Sequence, residues 1–544
     1  MTRNATISLL QLPAYSIEDA EASLAHTLGR IDEAAAVRPD LMVLPEVTYP
    51  AYFMGSGDLS GAQIPAPSEA LSLIAAKARA YACYIAAGIA VEVDGGYENG
   101  AVLIGRDGVV AGTYAKSFLW HFDRKWFRAG GRYPVFETDF GRIGMLICAD
   151  GRVPEIARSL ALNGAQLIVD VTAWVSSGRH TADLTSTQAE YLLRCRAAEN
   201  GVWVVAADKW GVEAESIVYC GRSCVVDPRG ERVAELGPDE DKTLTYAVPI
   251  VDPAPPVLRR PELYATLTQP TESLPVVRAQ AESIVVAEQD HRVAAVQMAL
   301  PSDGDAFLAA AAGHIERLAL QDAELVLLPA TPSRSRVAYA HDRVLAGVSA
   351  LAKRHGVCVG FTVWERDGEG RRALYLVGPR GVIGKHYQTH KPPGARFETM
   401  PLGDEPAAVL HTPIGRVGLM LAAEGFVPEV ARSLMLRGAE ILLWAGDDPA
   451  GAMLPFAQTR AEENQVFVVC AAAPTATGAT AIVAPSGRAL AVALEGRTLA
   501  VAADVNRALS QIKRRAPGTD VVRDRQPATY EAIVRKQGVV EGVV

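Results

Sequence analysis

The chain has 544 residues, of which 49% are hydrophobic and 21% charged, a composition typical of soluble globular proteins. One hydrophobic core rarely serves a chain of this length, so we expect more than one domain. The net charge of −9 argues against nucleic acid or an anionic membrane as a partner. No apolar run approaches the roughly 20 residues that span a bilayer, and the N-terminal pattern does not fit a signal peptide. We therefore expect a cytoplasmic protein.

The cysteines do not indicate disulfides or a metal site. There are seven of them, an odd number in a large chain, which argues against a disulfide framework. Cys220 and Cys224 lie four positions apart, but no second Cys or His pair follows at the spacing of a zinc site. The sequence predicts no metal and no cofactor.

The first half of the chain alternates predicted strands and helices. Continuous apolar runs indicate buried strands, and apolar spacing near 3.6 indicates helices. Asp-Gly and Pro-Arg-Gly mark hairpin turns. The predicted strands are 7–12, 41–45, 84–93, two within 101–116, 141–148, 166–171, 202–210 and a hairpin over 223–236; the predicted helices are 19–36, 69–81, one from Pro154, and 183–199. This order favours an α/β fold with mixed sheets between outer helices.

The second half of the chain repeats the first. Residues 415–443 match 141–169 without a gap, at a shift of 274 (415 − 141). Residues 324–330 likewise match 40–46. The repeat predicts a first copy over 1–270, a linker over 271–290 and a second copy over 291–544.

Three chemically reactive residues of the first copy are absent from the second. In these alignments Cys148 falls on Ala422 and Glu46 on Ala330. Matching GTYAKSF with KHYQTHK places Lys116 on Thr389. Since the framework persists while the three residues are lost together, the contrast predicts an active site in the first copy and a non-catalytic second copy.

Each of the three residues has a chemical role that fits its position. Cys148 ends a predicted strand just before a helix that starts at Pro154, where the helix amino terminus would favour a nucleophilic thiolate. Glu46 also follows a strand and is the candidate general base. Lys116, aided by the backbone N–H of Ala149, could stabilise an oxyanion.

These residues and their motifs resemble the nitrilase superfamily of carbon–nitrogen hydrolases, whose Glu, Lys and Cys match LPE, YAK and LIC ending at Glu46, Lys116 and Cys148. The resemblance implies a four-layer α-β-β-α sandwich. It also implies a cysteine thioester that forms with loss of ammonia or an amine and that water resolves. Members pair into eight-layer dimers, so we expect the second copy to form an intramolecular pseudo-dimer with the first; a further homo-oligomer is left open.

Two departures from the family pattern are informative. The family's second glutamate is replaced by Asp123, our fourth catalytic candidate, and on this basis Asp123→Glu should leave activity unchanged or raise it. After the nucleophile the chain reads Cys148-Ala149-Asp150, which is closer to amidases and carbamoylases than to true nitrilases.

The leading interpretation is therefore hydrolysis of a small-molecule amide or N-carbamoyl bond, a non-peptide C–N bond. A nitrilase is the nearest alternative, and a non-catalytic scaffold or binding protein is a third. Residues near the motifs that could line the substrate pocket are Trp120, His121, Arg124, Arg152 and Trp174, and the two arginines would suit a carboxylate-bearing substrate.

Overall fold

The computed structural model describes residues 3–55, 64–176, 178, 180–282, 289–301, 303–330, 341–365, 370–394, 400–446, 453–474 and 480–535. The chain folds as two compact units. Unit 1 comprises Met1–Pro255 together with Ala516–Thr519, and unit 2 comprises Pro256–Arg515 together with Asp520–Val544. The predicted domain borders at 270 and 291 follow the sequence repeat and stay a prediction.

Unit 1 contains fifteen strands and four α-helices in its described ranges. The strands are β1 Arg3–Pro13, β2 Leu41–Val43, β3 Tyr84–Val93, β4 Gly96–Ile104, β5 Val110–Ala115, β6 Phe127–Arg128, β7 Val135–Glu137, β8 Arg142–Ile147, β9 Leu167–Val171, β10 Trp203–Ala207, β11 Lys209–Glu213, β12 Ile217–Cys220, β13 Cys224–Val226, β14 Arg232–Glu235 and β15 Lys242–Ile250. The helices are α1 Ala20–Ala34, α2 Pro67–Tyr81, α3 Pro154–Leu162 and α4 Leu193–Asn200.

The strands of unit 1 form two mixed sheets. A nine-stranded sheet has the order β12-β11-β1-β2-β3-β4-β5, with β15 beside β1 and β6 beside β4. A six-stranded sheet has the order β14-β13-β10-β9-β8-β7. The sheets face each other through β1 and β10, β3 and β9, and β4 and β8, while α1 and α2 cover one outer face and α3 and α4 the other. This α-β-β-α arrangement confirms the predicted fold class.

Two predicted elements of unit 1 differ from the structure. The predicted strand 202–210 is two strands, β10 and β11, which belong to different sheets. The break falls at Asp208, whose N–H binds Ser223 Oγ (2.9 Å) and whose carboxylate accepts Trp174 N–H (2.8 Å), so this residue leaves the strand ladder. The predicted helix 183–199 begins later, as a π-helical turn over 188–192 that leads into α4.

Unit 2 repeats this architecture. Its strands are β16 Asp290–Gln297, β17 Leu325–Leu327, β18 Cys358–Glu365, β19 Arg371–Gly378, β20 Gly381–Tyr387, β21 Val409–Thr412, β22 Gly415–Leu421, β23 Ile441–Ala445, β24 Phe467–Ala471, β25 Ala481–Val483, β26 Ala489–Val492 and β27 Leu499–Asn506. A short hairpin, β28 Arg514–Ala516 and β29 Thr519–Asp520, follows them, and its tip belongs to unit 1. The helices are α5 Pro275–Glu282, α6 Gly304–Ala319, α7 His341–His355, α8 Pro428–Leu436, α9 Met453–Asn464, α10 Arg507–Gln511 and α11 Glu531–Val534.

The two main sheets of unit 2 have the orders β20-β19-β18-β17-β16-β27 and β21-β22-β23-β24-β25-β26. A core of apolar side chains fills the space between them, and a second core lies between the first sheet and α6 and α7. Helix α5 lies within the predicted linker 271–290. None of the helices in the described ranges is long and apolar enough to cross a bilayer.

Candidate active site

The candidate residues lie where strands of the two sheets of unit 1 end. Glu46 follows β2, and Cys148 directly follows β8. The backbone N–H of Glu46 donates to the carbonyl of Thr172, the residue after β9 (3.1 Å). Because β2 belongs to one sheet and β9 to the other, this hydrogen bond ties the ends of the two sheets together. The sheet ends thus hold the turns that carry Glu46 and Cys148.

Lys116 forms a buried ion-paired cluster with two carboxylates. Its Nζ lies 2.7 Å from Glu46 Oε1 and 2.7 Å from Asp123 Oδ2, and all three side chains are fully buried. Burial by itself would lower the pKa of Lys116, but Asp123 and Glu46 raise it well above its ordinary value. Lys116 is therefore a fixed positive charge.

Asp123 occupies the position predicted for the family's second glutamate, and both of its oxygens are engaged. Oδ2 also accepts the N–H of Trp120 (2.9 Å), and Oδ1 accepts the hydroxyl of Tyr52 (2.7 Å). The residue sits in a short 3-10 turn, His121–Lys125, that presents it to Lys116. The shorter carboxylate thus reaches the lysine directly.

Glu46 uses only one carboxylate oxygen for these contacts. Oε1 accepts hydrogen bonds from Lys116 and from Asn99 Nδ2 (2.7 Å). Oε2 is buried and has no hydrogen-bond partner among the described residues. Burial raises the pKa of Glu46 above its ordinary value against the opposing effect of Lys116. A carboxylate with a raised pKa and a free oxygen is suited to accept and return a proton.

Cys148 adopts a left-handed backbone conformation, with φ of 47°, at the start of a 3-10 turn. Its N–H donates to Asp170 Oδ1 (2.8 Å), and its Sγ lies 3.7 Å from the carbonyl oxygen of Ala173. A non-glycine residue rarely takes this conformation, and such strain is concentrated at functional sites. The turn directs the thiol away from the β8 ladder.

The expectation that Cys148 is a thiolate is not supported. Burial raises the pKa of the Cys148 thiol, and the charge of Glu46 raises it further, while Lys116 only partly offsets these effects. The thiol therefore holds its proton more tightly than an ordinary cysteine, and a reaction at sulfur requires a base. Glu46, whose charge acts on the thiol, is the candidate.

Asp150 links the nucleophile turn to the strand that carries Lys116. Its Oδ2 accepts the hydroxyl of Tyr114 (2.7 Å) and the N–H of Ile147 (3.1 Å), while Oδ1 accepts the N–H groups of Ser117 (3.2 Å) and Phe118 (2.8 Å). Ala149, whose N–H is the second predicted oxyanion donor, is buried beside it in the same turn. Asp150 thus fixes the distance between the lysine and cysteine segments.

The predicted pocket residues occupy different environments. Trp120 and Arg152 come together, with the guanidinium 4.7 Å from the indole centroid. Trp174 is buried one residue after Ala173. His121 is half-buried against Phe122, whereas Arg124 is exposed and donates from Nε to the carbonyl of Gly518 (3.0 Å). A role in substrate binding stays a prediction for all five residues.

Sequence reasoning missed several polar residues of the site. Asn99 is buried beside Glu46, and Gln188 donates from Nε2 to the carbonyl of Cys148 (2.6 Å). Asp170 is fully buried against the Cys148 N–H. The repeat holds a signal for Asp170, since it aligns with Trp444 at the same shift of 274 as Cys148 and Ala422.

The strand ladders correct the predicted counterpart of Lys116. In unit 1 the N–H of Lys116 donates to the carbonyl of Asn99 (2.9 Å); in unit 2 the N–H of Gln388 donates to the carbonyl of Arg372 (3.0 Å). Arg372 occupies the ladder position of Asn99, so Lys116 corresponds to Gln388 and not to Thr389.

The reason for this correction is a shorter hairpin in the second copy. Val110 of β5 pairs with Ile104, six residues earlier (110 − 104), whereas Val382 of β20 pairs with Val377, five residues earlier (382 − 377). Matching GTYAKSF with KHYQTHK pairs Tyr114 with Tyr387, whereas the strand ladders place Tyr114 on His386, one residue earlier. The conclusion that the lysine is absent from the second copy is unchanged.

The second copy keeps the shape of the nucleophile turn without its chemistry. Ala422 has φ of 54°, close to that of Cys148. The indole Nε1 of Trp444 donates to the carbonyl of Ala422 (2.9 Å). Glu424 retains the structural role of Asp150, accepting the N–H of Leu421 (2.7 Å). The strained turn thus persists in a unit that lacks the thiol.

Comparison with known proteins finds one family model that matches twice along the chain. A family model described as carbon-nitrogen hydrolase matches residues 6–252 and 292–514. An (R)-stereoselective amidase of a Pseudomonas species is 31% identical over 234 residues, which is 43% of this chain and 81% of that protein. Human omega-amidase is 30% identical over 246 residues, 43% of this chain and 85% of that protein.

Two further matches extend this set. A probable nitrilase of Schizosaccharomyces pombe is 34% identical over 182 residues, which is 32% of this chain and 63% of that protein. Among solved structures, an amidase from Nesterenkonia sp. is 27% identical and covers 46% of this chain and 92% of its own, with a TM-score of 0.41.

Proposed function

Because the chain belongs to the carbon–nitrogen hydrolase family, we propose that unit 1 hydrolyses the amide or N-carbamoyl bond of a small molecule through a thioester on Cys148. The observation that carries the proposal is the Glu46 carboxylate. Lys116 and Asn99 donate hydrogen bonds to Oε1 of Glu46, and Oε2 is buried without a partner among the described residues. The negative charge of Glu46 also raises the pKa of the Cys148 thiol. This is the arrangement that a base for a protonated thiol requires.

In the first half-reaction Glu46 takes the thiol proton as Sγ attacks the carbonyl carbon of the substrate. Lys116 and the N–H of Ala149 stabilise the negative charge that develops on the carbonyl oxygen. When the tetrahedral intermediate collapses, the C–N bond breaks and Glu46 returns the proton to the leaving nitrogen. Ammonia or an amine departs, and the acyl group remains on sulfur.

In the second half-reaction a water molecule attacks the thioester. Glu46 takes a proton from the water, the C–S bond breaks to release the acid, and Glu46 then returns that proton to the cysteine sulfur, which restores the thiol. Asp123 supports both steps as the second carboxylate on Lys116, which keeps the ammonium charged and oriented. No cofactor enters either step.

A nitrile substrate is the second candidate. Nitrilases carry Cys-Trp-Glu at the nucleophile, whereas here the residue two positions after Cys148 is Asp150, whose oxygens are occupied by Tyr114 and by backbone N–H groups. The departure of Cys148-Ala149-Asp150 from the nitrilase sequence supports the amide over the nitrile.

The test is ammonia or amine release from a panel of small amides, ureides and nitriles. Cys148→Ala should reduce turnover at least about 1000-fold, because it removes the group that forms the covalent bond. It should leave the melting temperature nearly unchanged, since Ala422 adopts the same turn in the second copy. Cys83→Ala, at a buried free cysteine in the core of the unit, is the matched control and should retain activity. Undiminished turnover in Cys148→Ala would exclude the thioester mechanism.

A further inference from the structure

A residue near the C-terminal end of the chain belongs to the fold of unit 1 and contacts the turn that carries Asp123. The hairpin tip Ala516–Thr519 groups with unit 1, although the rest of the second copy does not. Thr519 is fully buried there. Its position in the sequence, about 400 residues after the turn, gave no indication of this location.

The Thr519 hydroxyl binds both peptide groups that flank Trp120. Oγ1 accepts the N–H of His121 (2.8 Å) and lies 3.3 Å from the carbonyl oxygen of Leu119, to which it donates. The preceding residue of the tip, Gly518, accepts a hydrogen bond from Arg124 Nε (3.0 Å). The tip therefore holds the Trp120 segment at two backbone atoms and one side chain.

The turn needs such support because it has little regular structure of its own. It is a single 3-10 turn, a form that is stable only in short pieces, and His121 has φ of 48°. The N–H of Trp120 binds the same Asp123 oxygen that contacts Lys116. A shift of the Trp120 peptide groups would therefore move the carboxylate that orients the lysine.

We propose that Thr519 is a positioning residue for the active site, which fixes the turn that bears Asp123 and Trp120 from within the otherwise non-catalytic second copy. The inference rests on the proposed hydrolase function. It assigns to the second copy a direct contribution to turnover, through a residue that does not contact the reacting atoms.

The experiment compares three variants of the full-length protein. Thr519→Val removes the hydroxyl at constant shape, and Thr519→Ser restores it. Thr480→Val is the matched control, because Thr480 is also fully buried, and its Oγ1 also accepts a backbone N–H, that of Ala472 (3.0 Å), but within unit 2. The measurements are kcat, KM and melting temperature with the best substrate of the ammonia-release panel.

We expect Thr519→Val to lower kcat at least about 10-fold, because small displacements of catalytic groups reduce rates steeply. The kcat of Thr519→Ser should lie within about 2-fold of the wild-type kcat. The kcat of Thr480→Val should also lie within about 2-fold of it, even where the melting temperature of Thr480→Val falls as far as that of Thr519→Val. A wild-type kcat in Thr519→Val, or an equal loss in Thr480→Val, would overturn the positioning role.

If Thr519→Val does not fold, Thr519→Ala removes the same hydroxyl with less bulk and answers the question by the same comparison. The activity of the wild-type protein distinguishes a failure of this inference from a failure of the proposed function. A wild type that releases no ammonia or amine from any substrate counts against the hydrolase proposal, whereas an active wild type with an equally active Thr519→Val counts against Thr519 alone.

Discussion

Close packing surrounds Asp123, the residue predicted to stand in place of the family's second glutamate. The carboxylate contacts Lys116, Tyr52 and the Trp120 N–H, and the side chain is fully buried. A glutamate would add a methylene to a site with no exposed surface, and extra methylenes in a packed core force neighbouring groups to move.

The packing around Asp123 therefore argues against a neutral or beneficial effect of Asp123→Glu. We now expect this variant to lower kcat roughly 10- to 100-fold, because the longer side chain displaces the Lys116 ammonium. Steady-state kinetics check this, with Asp19→Glu as a control at an exposed carboxylate of the same unit. Wild-type kcat in Asp123→Glu would show that the turn relaxes freely and that the original expectation was right.

At the same scale, a residue that is the same in both copies is assigned a structural role, because the second copy lacks the three reactive residues. Arg196 and Arg460 form equivalent buried ion pairs with Glu199 and Glu463. Their Nε atoms donate to the carbonyls of the residues three positions after Cys148 and Ala422 (2.9 and 3.0 Å). Segments 196–200 (RAAEN) and 460–464 (RAEEN) therefore support the turns that begin at Cys148 and Ala422, whether or not the turn carries a cysteine.

At the scale of elements, close approach of β3 to the turn after β2 positions Glu46. Gly88 of β3 has no room for a side chain, since an added Cβ would lie 2.1 Å from the carbonyl oxygen of Pro45 and 2.7 Å from the Cα of Glu46. Both contacts are with backbone atoms, which cannot rotate away. The glycine thus allows Glu46 to sit against the neighbouring strand.

Gly88→Ala should consequently reduce both stability and turnover. We expect a loss of about 1–3 kcal/mol in the free energy of unfolding, as for other overpacked cores, together with a fall in kcat because Glu46 is displaced. Gly29→Ala is the control: this glycine lies on the exposed side of α1 with open space around it, and alanine there should be neutral or stabilising by up to about 1 kcal/mol. Chemical denaturation and kinetics measure both quantities. Equal behaviour of the two variants would show that β3 does not constrain Glu46.

At the scale of the whole molecule, each half of the sequence contributes a terminal segment to the other half's unit. The segment from Pro256 onward belongs to unit 2, where Tyr264 stacks on His390 and binds its Nε2 (2.7 Å) and Arg260 donates to the carbonyl of Thr389 (3.1 Å). Residues 516–519 belong to unit 1. This exchange supports the proposal that the second copy acts as an intramolecular partner of the first.

A fragment of residues 1–285 should therefore be unstable, aggregated or self-paired. It lacks Thr519, and its segment after Pro256 loses the hydrogen bonds made in unit 2, each contributing about 1 kcal/mol. Size-exclusion chromatography, a thermal melt and the ammonia-release assay test this against the full-length chain. A monomeric, soluble and fully active fragment would contradict both the partner role of the second copy and the positioning role of Thr519.

The sequence by itself determined the fold class, the repeat and the identity of the central residues. Those conclusions depend on local patterns, namely apolar periodicity, strand-end motifs and the loss of Glu46, Lys116 and Cys148 from the second copy, and local patterns can be read along a chain. The tertiary structure decided what depends on distance. It gave the burial of the Glu46 carboxylate, the raised pKa of the Cys148 thiol, the packing around Asp123, the one-residue register correction and the location of Thr519. Burial and long-range hydrogen bonds set all of these, and they arise only when segments far apart in sequence meet.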